Sequence, residues 1–233
     1  MDETPESTEP GLGIPAWRRK TAGERRWPAG LAVMSAAALQ LSLPGRLAMP
    51  PRYLLPALET LLLVGLTLAD PGRIDRRDNR LRITSIVLIA AVMVANIWSA
   101  ARLVTALAEG QAIVDSAARL LVNGGSIYLT NIIAFGLWYW ELDRDGPAAR
   151  THGVDCYPDF LFPQMSNPEL APPEWEPVFF DYFYVSFTNA TAFSPTDVMP
   201  LTPWAKLAMT LQSSVALVTV GLVIARAVNV LKS

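Results

Sequence analysis

Apolar residues fall into blocks along the chain, and short charged or proline-rich stretches separate these blocks. The blocks cover residues 29–43, 53–69, 83–107, 117–140 and 203–231. About 20 apolar residues in a helix cross the ~30 Å hydrocarbon layer of a bilayer. The pattern therefore predicts an all-α membrane protein with four to five transmembrane helices, and the short first block decides between the two numbers.

A shorter apolar stretch precedes the last block. Residues 178–192 are rich in aromatic side chains but too few to cross a bilayer, and residues 193–201 have no regular pattern. Irregular backbone at membrane depth is tolerated only where it is buried in protein or lines a water-filled path. The order of short helix, polar stretch and long span therefore predicts a re-entrant helix and loop.

One segment of this region resembles a known family. Residues 186–197 have the sequence SFTNATAFSPTD, which resembles the pore helix and selectivity filter of tetrameric potassium channels, close to SFTTLTTVGYGD. Residues 200–206, PLTPWAK, resemble the P-x-T-P-x-G-R at the start of the inner helix in those channels. The segment is also similar to bacterial membrane proteins that share SFT-x-x-TAFSPTD. The resemblance covers about residues 117–231 and implies a homo-oligomer, most simply a homotetramer, around a pore.

The chain departs from the potassium-channel pattern inside the filter. Ser194, Pro195 and Thr196 replace Gly-Tyr-Gly, whose glycines allow the backbone carbonyls to turn inward. Pro195 fixes its own φ and restricts the backbone of Ser194. We therefore expect no potassium filter of stacked carbonyls. The expectation is a wider or less selective pore lined by side-chain hydroxyls, or a pore that does not conduct.

The alignment gives a set of candidate ion-pathway residues. They are Thr188, Thr191, Ser194, Pro195, Thr196 and Asp197. Hydroxyl and carboxylate oxygens replace water around a cation, and a ring of Asp197 carboxylates would favour cations over anions. Asp197 has an alternative interpretation as the cap of a turn, since Ser-Pro-Thr-Asp is ordinary turn chemistry. A monovalent cation is the expected permeant, and no cofactor is expected.

The last block carries a stripe of polar residues. Gln212, Thr219 and Arg226 are seven residues apart, and Asn229 lies on the same side of the helix. We predict that this stripe is the inner-helix face of the pore, because polar stripes in membrane helices face protein or water. For Arg226 the alternative is a side chain that extends to the headgroups.

Glu59 lies near the middle of the second block. A carboxylate at this depth is a functional candidate, either as the proton site of a transporter or as a protonated acid in an interhelical hydrogen bond. The sequence does not identify its partner; Asn96 in the third block and Asn131 in the fourth are candidates. In the loop, His152 and Cys156 lie close to acidic residues, but a solvated acidic loop is favoured over a metal site.

Composition narrows the functional classes. Hydrophobic residues make up 52% of the 233-residue chain and charged residues 17%, against about 25% charged in soluble domains. One cysteine and one histidine exclude a disulfide framework and a Cys/His metal site. The chain has no basic face with interleaved aromatic residues, so nucleic acid is not an expected partner. No arrangement of nucleophile, base and orienting group predicts an enzyme.

The domain organisation follows from these patterns. Residues 1–28 are expected to form a disordered cytoplasmic tail, and residues 29–110 the N-terminal transmembrane helices. Residues 111–233 form the channel-like module, which consists of an outer helix, a proline-rich loop without helical periodicity (141–178), the pore helix and filter-like loop (178–201) and the inner helix (203–231).

Basic residues predict the orientation. The tail and the 70–82 link contain five basic residues each, against two each in the links 44–52 and 102–119. The positive-inside rule places the first two in the cytoplasm, with the 141–178 loop on the same side. The excess of arginine over lysine, with abundant alanine and proline, favours a bacterial origin, and together with the apolar blocks this predicts the plasma (inner) membrane of a bacterium. Alternative functions are a non-conducting scaffold or sensor and a proton-coupled transporter using Glu59, although transporters usually contain inverted repeats.

Overall fold

The computed structural model describes residues 15–109, 116–153, 157–191 and 197–232. Over these ranges the fold is all-α, with four two-residue strands. The helices are α1 (Trp27–Ser42), α2 (Leu54–Ala69), α3 (Asn79–Ala108), α4 (Ala117–Leu142), α5 (Pro147–Thr151), α6 (Pro163–Ser166), α7 (Phe179–Thr191) and α8 (Pro203–Lys232). The strands are β1 (Glu24–Arg25), β2 (Arg73–Ile74), β3 (Phe160–Leu161) and β4 (Met199–Pro200).

Three helical segments within the described ranges are long and apolar enough to cross a membrane. They are Asn79–Ala108, Ala118–Asp145 and Pro203–Val228. Helices α1 and α2 have 16 residues each, or about 24 Å at about 1.5 Å per residue. The predicted all-α fold is therefore confirmed for the described residues, and three of its helices have the length and composition of membrane spans, whereas α1 and α2 are shorter.

The helix ends follow local sequence signals. The Asp78 side chain accepts a hydrogen bond from the Arg80 amide at 2.9 Å and caps α3. The Ser116 hydroxyl caps α4 in the same way, accepting from the Arg119 amide at 3.3 Å. Helix α8 begins at Pro203, a position where proline's missing N–H costs no intrahelical hydrogen bond.

One end of the helical bundle brings together segments that are far apart in the sequence. Strand β1 pairs antiparallel with β2, with Glu24 opposite Ile74. The Thr21 amide donates to the Thr151 carbonyl at 2.9 Å, and Arg19 forms an ion pair with Glu174 at 2.7 Å. These contacts bring the N-terminal segment, the 70–78 link and the 143–178 loop to the same end of the bundle. This agrees with the sequence prediction, because two helices separate each segment from the next and the chain returns to the same end after each pair.

Two parts of the predicted domain organisation are wrong. Residues 15–26 are not a disordered tail, because Ala16 and Trp17 are buried and the Arg144 guanidinium donates to the Trp17 carbonyl at 2.8 Å. The 141–178 loop also contains helices, since α4 extends to Leu142 and α5 and α6 follow. Periodicity misses such short elements because long-range contacts, rather than an apolar stripe, hold them in place.

Aromatic rings join this loop to the helices. Phe160 of β3 is fully buried. Its ring centroid lies 5.0 Å from that of Tyr139 on α4, 6.3 Å from that of Tyr182 on α7 and 5.7 Å from that of Trp204 on α8. Contacts at these separations are favourable for aromatic pairs, so Phe160 fixes the relative positions of the three helices.

Candidate functional site

Helix α7 packs between α4 and α8. A glycine on α4 allows close contact, because a Cβ atom at Gly136 would lie 3.2 Å from the Phe183 Cα atom. The short helix is therefore held against the backbone of a long apolar helix.

Five polar residues fix α7 in this position, and we refer to Tyr139, Ser186, Asn189, Gln212 and Ser213 as the α7 polar cluster. Gln212 Oε1 accepts hydrogen bonds from the Tyr139 hydroxyl at 2.7 Å and from Asn189 Nδ2 at 2.8 Å. Gln212 Nε2 donates to the Ser186 carbonyl at 2.9 Å and to its hydroxyl at 2.6 Å. The Ser213 hydroxyl donates to the Asn189 carbonyl at 3.1 Å. Since unpaired polar groups are costly in apolar surroundings, the cluster specifies one arrangement of the three helices.

The predicted pore face of α8 is buried in the structure at two of its four positions. Gln212 is 0% exposed and Thr219 3% exposed, so both lie inside the subunit rather than on a free face. Arg226 is partly buried, and the side chain of Asn229 lies outside the described residues. A spacing of seven identifies residues that share a helix face, but it does not identify the neighbour of that face.

A different polar stripe on α8 is exposed. Lys206, Thr210 and Ser214 are spaced four residues apart, and we refer to them as the α8 polar stripe. The Thr210 hydroxyl donates to the Lys206 carbonyl and the Ser214 hydroxyl to the Thr210 carbonyl, each at 2.8 Å. The stripe borders an open groove of about 480 Å³, which Asn189 and Ser213 also line. The spacing of four is the sequence signal that would have identified it.

The filter-like residues follow the end of α7. The Thr188 and Thr191 hydroxyls donate to backbone carbonyls of their own helix, Tyr184 and Phe187 respectively, at 2.9 Å. Their oxygen lone pairs remain free to accept from water or to contact a cation. Asp197 is exposed. Three predicted pathway residues lie outside the described residues, namely Ser194, Pro195 and Thr196.

One face of α7 exposes large aromatic side chains. Phe180 is 68% exposed, Tyr184 48% and Phe187 44%. These three residues, the α7 aromatic stripe, are spaced four and three apart and so lie on one helix face. The opposite face of α7 carries Ser186 and Asn189, its two members of the α7 polar cluster.

The N-terminal segment contacts the start of α7 through Glu24. Its Oε1 atom accepts a hydrogen bond from the Phe179 amide at 2.6 Å, and its Oε2 atom accepts from Trp140 Nε1 at 2.7 Å. A carboxylate is favourable at a helix N-terminus. Burial raises the pKa of the Glu24 carboxyl above its ordinary value, and these two hydrogen bonds lower it less than burial raises it.

A buried ionic group connects the loop to α7 and α8. Asp143 pairs with Arg144 at 3.2 Å and accepts hydrogen bonds from the Asp159 amide at 2.8 Å and from the Tyr182 hydroxyl. Asp159 in turn accepts from Trp204 Nε1 at 2.8 Å. These contacts act as structural ties, although Arg144 Nη2 is buried without a hydrogen-bond partner among the described residues.

Glu59 does not pair with either of the candidate partners, Asn96 and Asn131. Its carboxyl is fully buried and accepts from Gln40 Nε2 at 3.0 Å, which joins α2 to α1. Asn96 instead donates to Asn131 at 3.3 Å and joins α3 to α4. Both contacts are interhelical hydrogen bonds.

The described loop residues do not gather metal ligands. Within the described ranges no group of three or more His, Cys, Asp or Glu side chains is placed to hold a metal ion. His152 Nδ1 lies 2.8 Å from the Ala148 carbonyl oxygen. Cys156 lies outside the described residues.

No family model, curated protein or solved structure matches the chain. The features that bear on function are therefore the α7 polar cluster, the two exposed stripes and the chemistry of their side chains.

Proposed function

We propose that the protein is a channel-like integral membrane protein, a homo-oligomer and most simply a tetramer. Its pore would be bounded by residues 191–197 and by α8. The observation that carries this proposal is that α7, a short helix, packs against the two long apolar helices α4 and α8 and contacts α8 at Gln212.

The depth of α7 follows from its contacts. Gln212 contacts Ser186, and the Ser186 hydroxyl donates to the Ile132 carbonyl at 2.7 Å. The stretches from Pro203 to Gln212 and from Ile132 to Leu142 each cover roughly 15 Å at about 1.5 Å per residue. This is about half of the ~30 Å hydrocarbon thickness, so Ser186, in the second half of α7, would lie near the membrane midplane.

The chain after α7 returns to the end where α7 begins. Strand β4 pairs with β3, with Met199 opposite Leu161, and the Leu201 amide donates to the Asp159 carbonyl at 2.8 Å. Helix α7 starts at this end of the bundle, and the segment that follows it finishes at the same end. This arrangement supports a re-entrant excursion. Such an excursion is tolerated where protein or a water-filled path surrounds it.

A pore requires several copies, since one re-entrant segment cannot enclose a path. The α7 aromatic stripe offers an apolar surface for a neighbouring copy, and the α8 polar stripe offers hydroxyls to a water-filled path. In a closed ring each Asp197 would be repeated around the axis and would favour cations, with a monovalent cation as the permeant.

The membrane and orientation belong to the same proposal. The bundle end that contains β1 and β2 collects the arginines of the N-terminal segment and the 70–82 link. The positive-inside rule favours a cytoplasmic position for this end. We place the protein in the plasma (inner) membrane of a bacterium, with a cytoplasmic N-terminus.

A non-conducting scaffold or sensor is the second candidate. Burial of Gln212 and Thr219 inside the subunit removes two polar groups from the proposed pore face. In addition, α8 exposes apolar residues such as Leu207 and Leu211 next to its polar stripe. A proton-coupled transporter using Glu59 has less support, because Gln40 already satisfies this buried carboxyl.

Ion flux through the purified protein in liposomes tests the proposal. Potassium, sodium and chloride gradients would be imposed in turn on the wild type and on Asp197→Asn. The matched control is Asp75→Asn, which makes the same charge change at an exposed position of the 70–78 link.

We expect cation flux that changes in Asp197→Asn and not in Asp75→Asn. Equal flux in all three proteins would remove Asp197 from the pathway. The absence of any flux from protein shown to be oligomeric would support the scaffold instead.

A further inference from the structure

A second cavity lies at the arginine-rich end of the bundle, separate from the α7 polar cluster. It lies between the 70–78 link, the start of α3, the end of α4 and α5, and its volume is about 320 Å³. Sites for small molecules commonly measure about 300–1,000 Å³. We refer to it as the arginine cavity, since Arg26, Arg76, Arg77 and Arg82 line it.

The acids at this cavity already have partners. Asp78 caps α3 and pairs with Arg76 at 3.2 Å. Asp145 pairs with Arg82 at 2.9 Å. The third acid that lines the cavity, Glu141, is 3% exposed and interacts with the Ser85 hydroxyl.

The arginines are less completely satisfied. Arg26 is paired, at 2.7 Å, with Asp70, which does not line the cavity. Arg77 is exposed and has no ion-pair or hydrogen-bond partner among the described residues. Arg82 Nε is buried and has no hydrogen-bond acceptor among those residues. The lining of the cavity therefore holds an unpaired cation and an N–H donor that lacks its acceptor.

Apolar surface and a helix end complete the lining. Ile74, Leu81 and Trp140 contribute apolar side chains, and α3 begins here with Asn79. A helix N-terminus favours anions. Arginine forks bind the oxygens of carboxylate and phosphate, but several arginines beside a helix N-terminus supply more donors than two carboxylate oxygens accept. Phosphate is therefore the better match.

We propose that the arginine cavity binds a phosphate group, carried either by the headgroup of an anionic phospholipid or by a soluble phosphate compound. Arg77 and Arg82 Nε donate hydrogen bonds to the phosphate oxygens, and the apolar side chains contact the remainder of the ligand. Arginine clusters beside membrane helices attract anionic lipids. The site does not depend on whether the pore conducts.

Binding measurements on the purified full chain test this site with two ligands. Inorganic phosphate would be titrated by calorimetry, and retention of phosphatidylglycerol against phosphatidylcholine would be measured by native mass spectrometry from mixed nanodiscs. Arg77→Gln removes the unpaired cation. Arg80→Gln is the matched control, because Arg80 is an exposed arginine close by on α3 that does not line the cavity.

We expect Arg77→Gln to weaken binding by about tenfold or more, as loss of a charge-assisted hydrogen bond implies, with Arg80→Gln unchanged. If Arg77→Gln weakens the binding of inorganic phosphate, the ligand is a soluble phosphate compound. If Arg77→Gln weakens only the retention of phosphatidylglycerol, the ligand is the lipid headgroup. Arg82→Lys keeps the charge but removes Nε, and it should also weaken binding. Equal losses in Arg77→Gln and Arg80→Gln, or binding of neither ligand, would overturn the proposal.

Discussion

The Glu24 carboxylate accepts a hydrogen bond from the Phe179 amide at 2.6 Å, although 155 residues separate the two in the chain. The same carboxylate accepts from Trp140 Nε1 on α4. The N-terminal segment therefore forms part of the support of α7, the helix on which the proposed pore depends.

Glu24→Gln should destabilise the start of α7. The amide retains one acceptor oxygen, so either the Phe179 amide or Trp140 Nε1 loses its acceptor. Loss of a hydrogen bond to a charged group costs about 1.5–3 kcal/mol, and partial burial of Glu24 favours the lower value. Thermal unfolding in detergent should show a lower midpoint than wild type. Glu169→Gln, at an exposed residue of a surface turn, should leave the midpoint unchanged.

The raised pKa of Glu24 predicts a pH effect of definite sign. Because the folded state holds this proton more tightly than the unfolded state, stability should fall as pH rises from the ordinary value of 4.5 through the folded pKa. Because the glutamine side chain of the variant does not titrate, the amount by which the wild-type unfolding midpoint exceeds that of Glu24→Gln should therefore shrink as pH rises across that window. A difference that grows with rising pH would contradict the assignment.

Gln212→Leu should loosen α7 even though it adds apolar volume to a buried site. The substitution removes the acceptor of the Tyr139 hydroxyl and a partner of Ser186. Each buried group left unpaired costs about 1–3 kcal/mol, although polar contacts between membrane helices average less. Limited proteolysis should cut after α7 faster than in wild type. Thr210→Ala on the same helix should not change the cleavage rate, because the Thr210 hydroxyl bonds only to its own helix.

Helical periodicity and segment length explain how much of the fold the sequence predicts. The blocks at 83–107 and 203–231 correspond to α3 and α8, and the short stretch 178–192 corresponds to α7, because both signals are local. The Glu24 contacts are not local, and nothing in the sequence links Glu24 to Phe179.

The candidate site is predictable only in part, for a related reason. A polar stripe identifies residues on one helix face, but packing decides whether that face is buried. Gln212 is enclosed by α4 and α7, whereas Thr210 remains exposed on the other side of the same helix. The partner of Glu59 is likewise decided by packing, since Gln40, Asn96 and Asn131 are all chemically suitable.

Cysteine accessibility would distinguish a water-filled face of α8 from a lipid-facing one. In a Cys156→Ser background, Thr210→Cys and Leu211→Cys place thiols at the same depth on two faces of the helix. A water-soluble thiol reagent should modify Thr210→Cys about tenfold faster or more, because the thiolate that reacts forms in water and not in hydrocarbon. Equal rates at the two positions would argue against a pore along the α8 polar stripe and in favour of the scaffold.

Two neighbouring glycines on α4 provide an internal test of how closely α4 and α8 pack. A Cβ atom at Gly124 would lie 2.7 Å from a methyl carbon of Val223, whereas a Cβ atom at Gly125 would meet nothing within 4 Å. Gly124→Ala should therefore destabilise the protein by about 1–3 kcal/mol through overpacking. Gly125→Ala should be neutral or stabilising by up to about 1 kcal/mol, since alanine is the better helix former. Unfolding midpoints of the two variants, compared in one detergent, measure the difference directly. If both variants unfold at the same midpoint, α8 does not lie against α4 at Val223, and the depth assigned to α7 between these helices has to be revised.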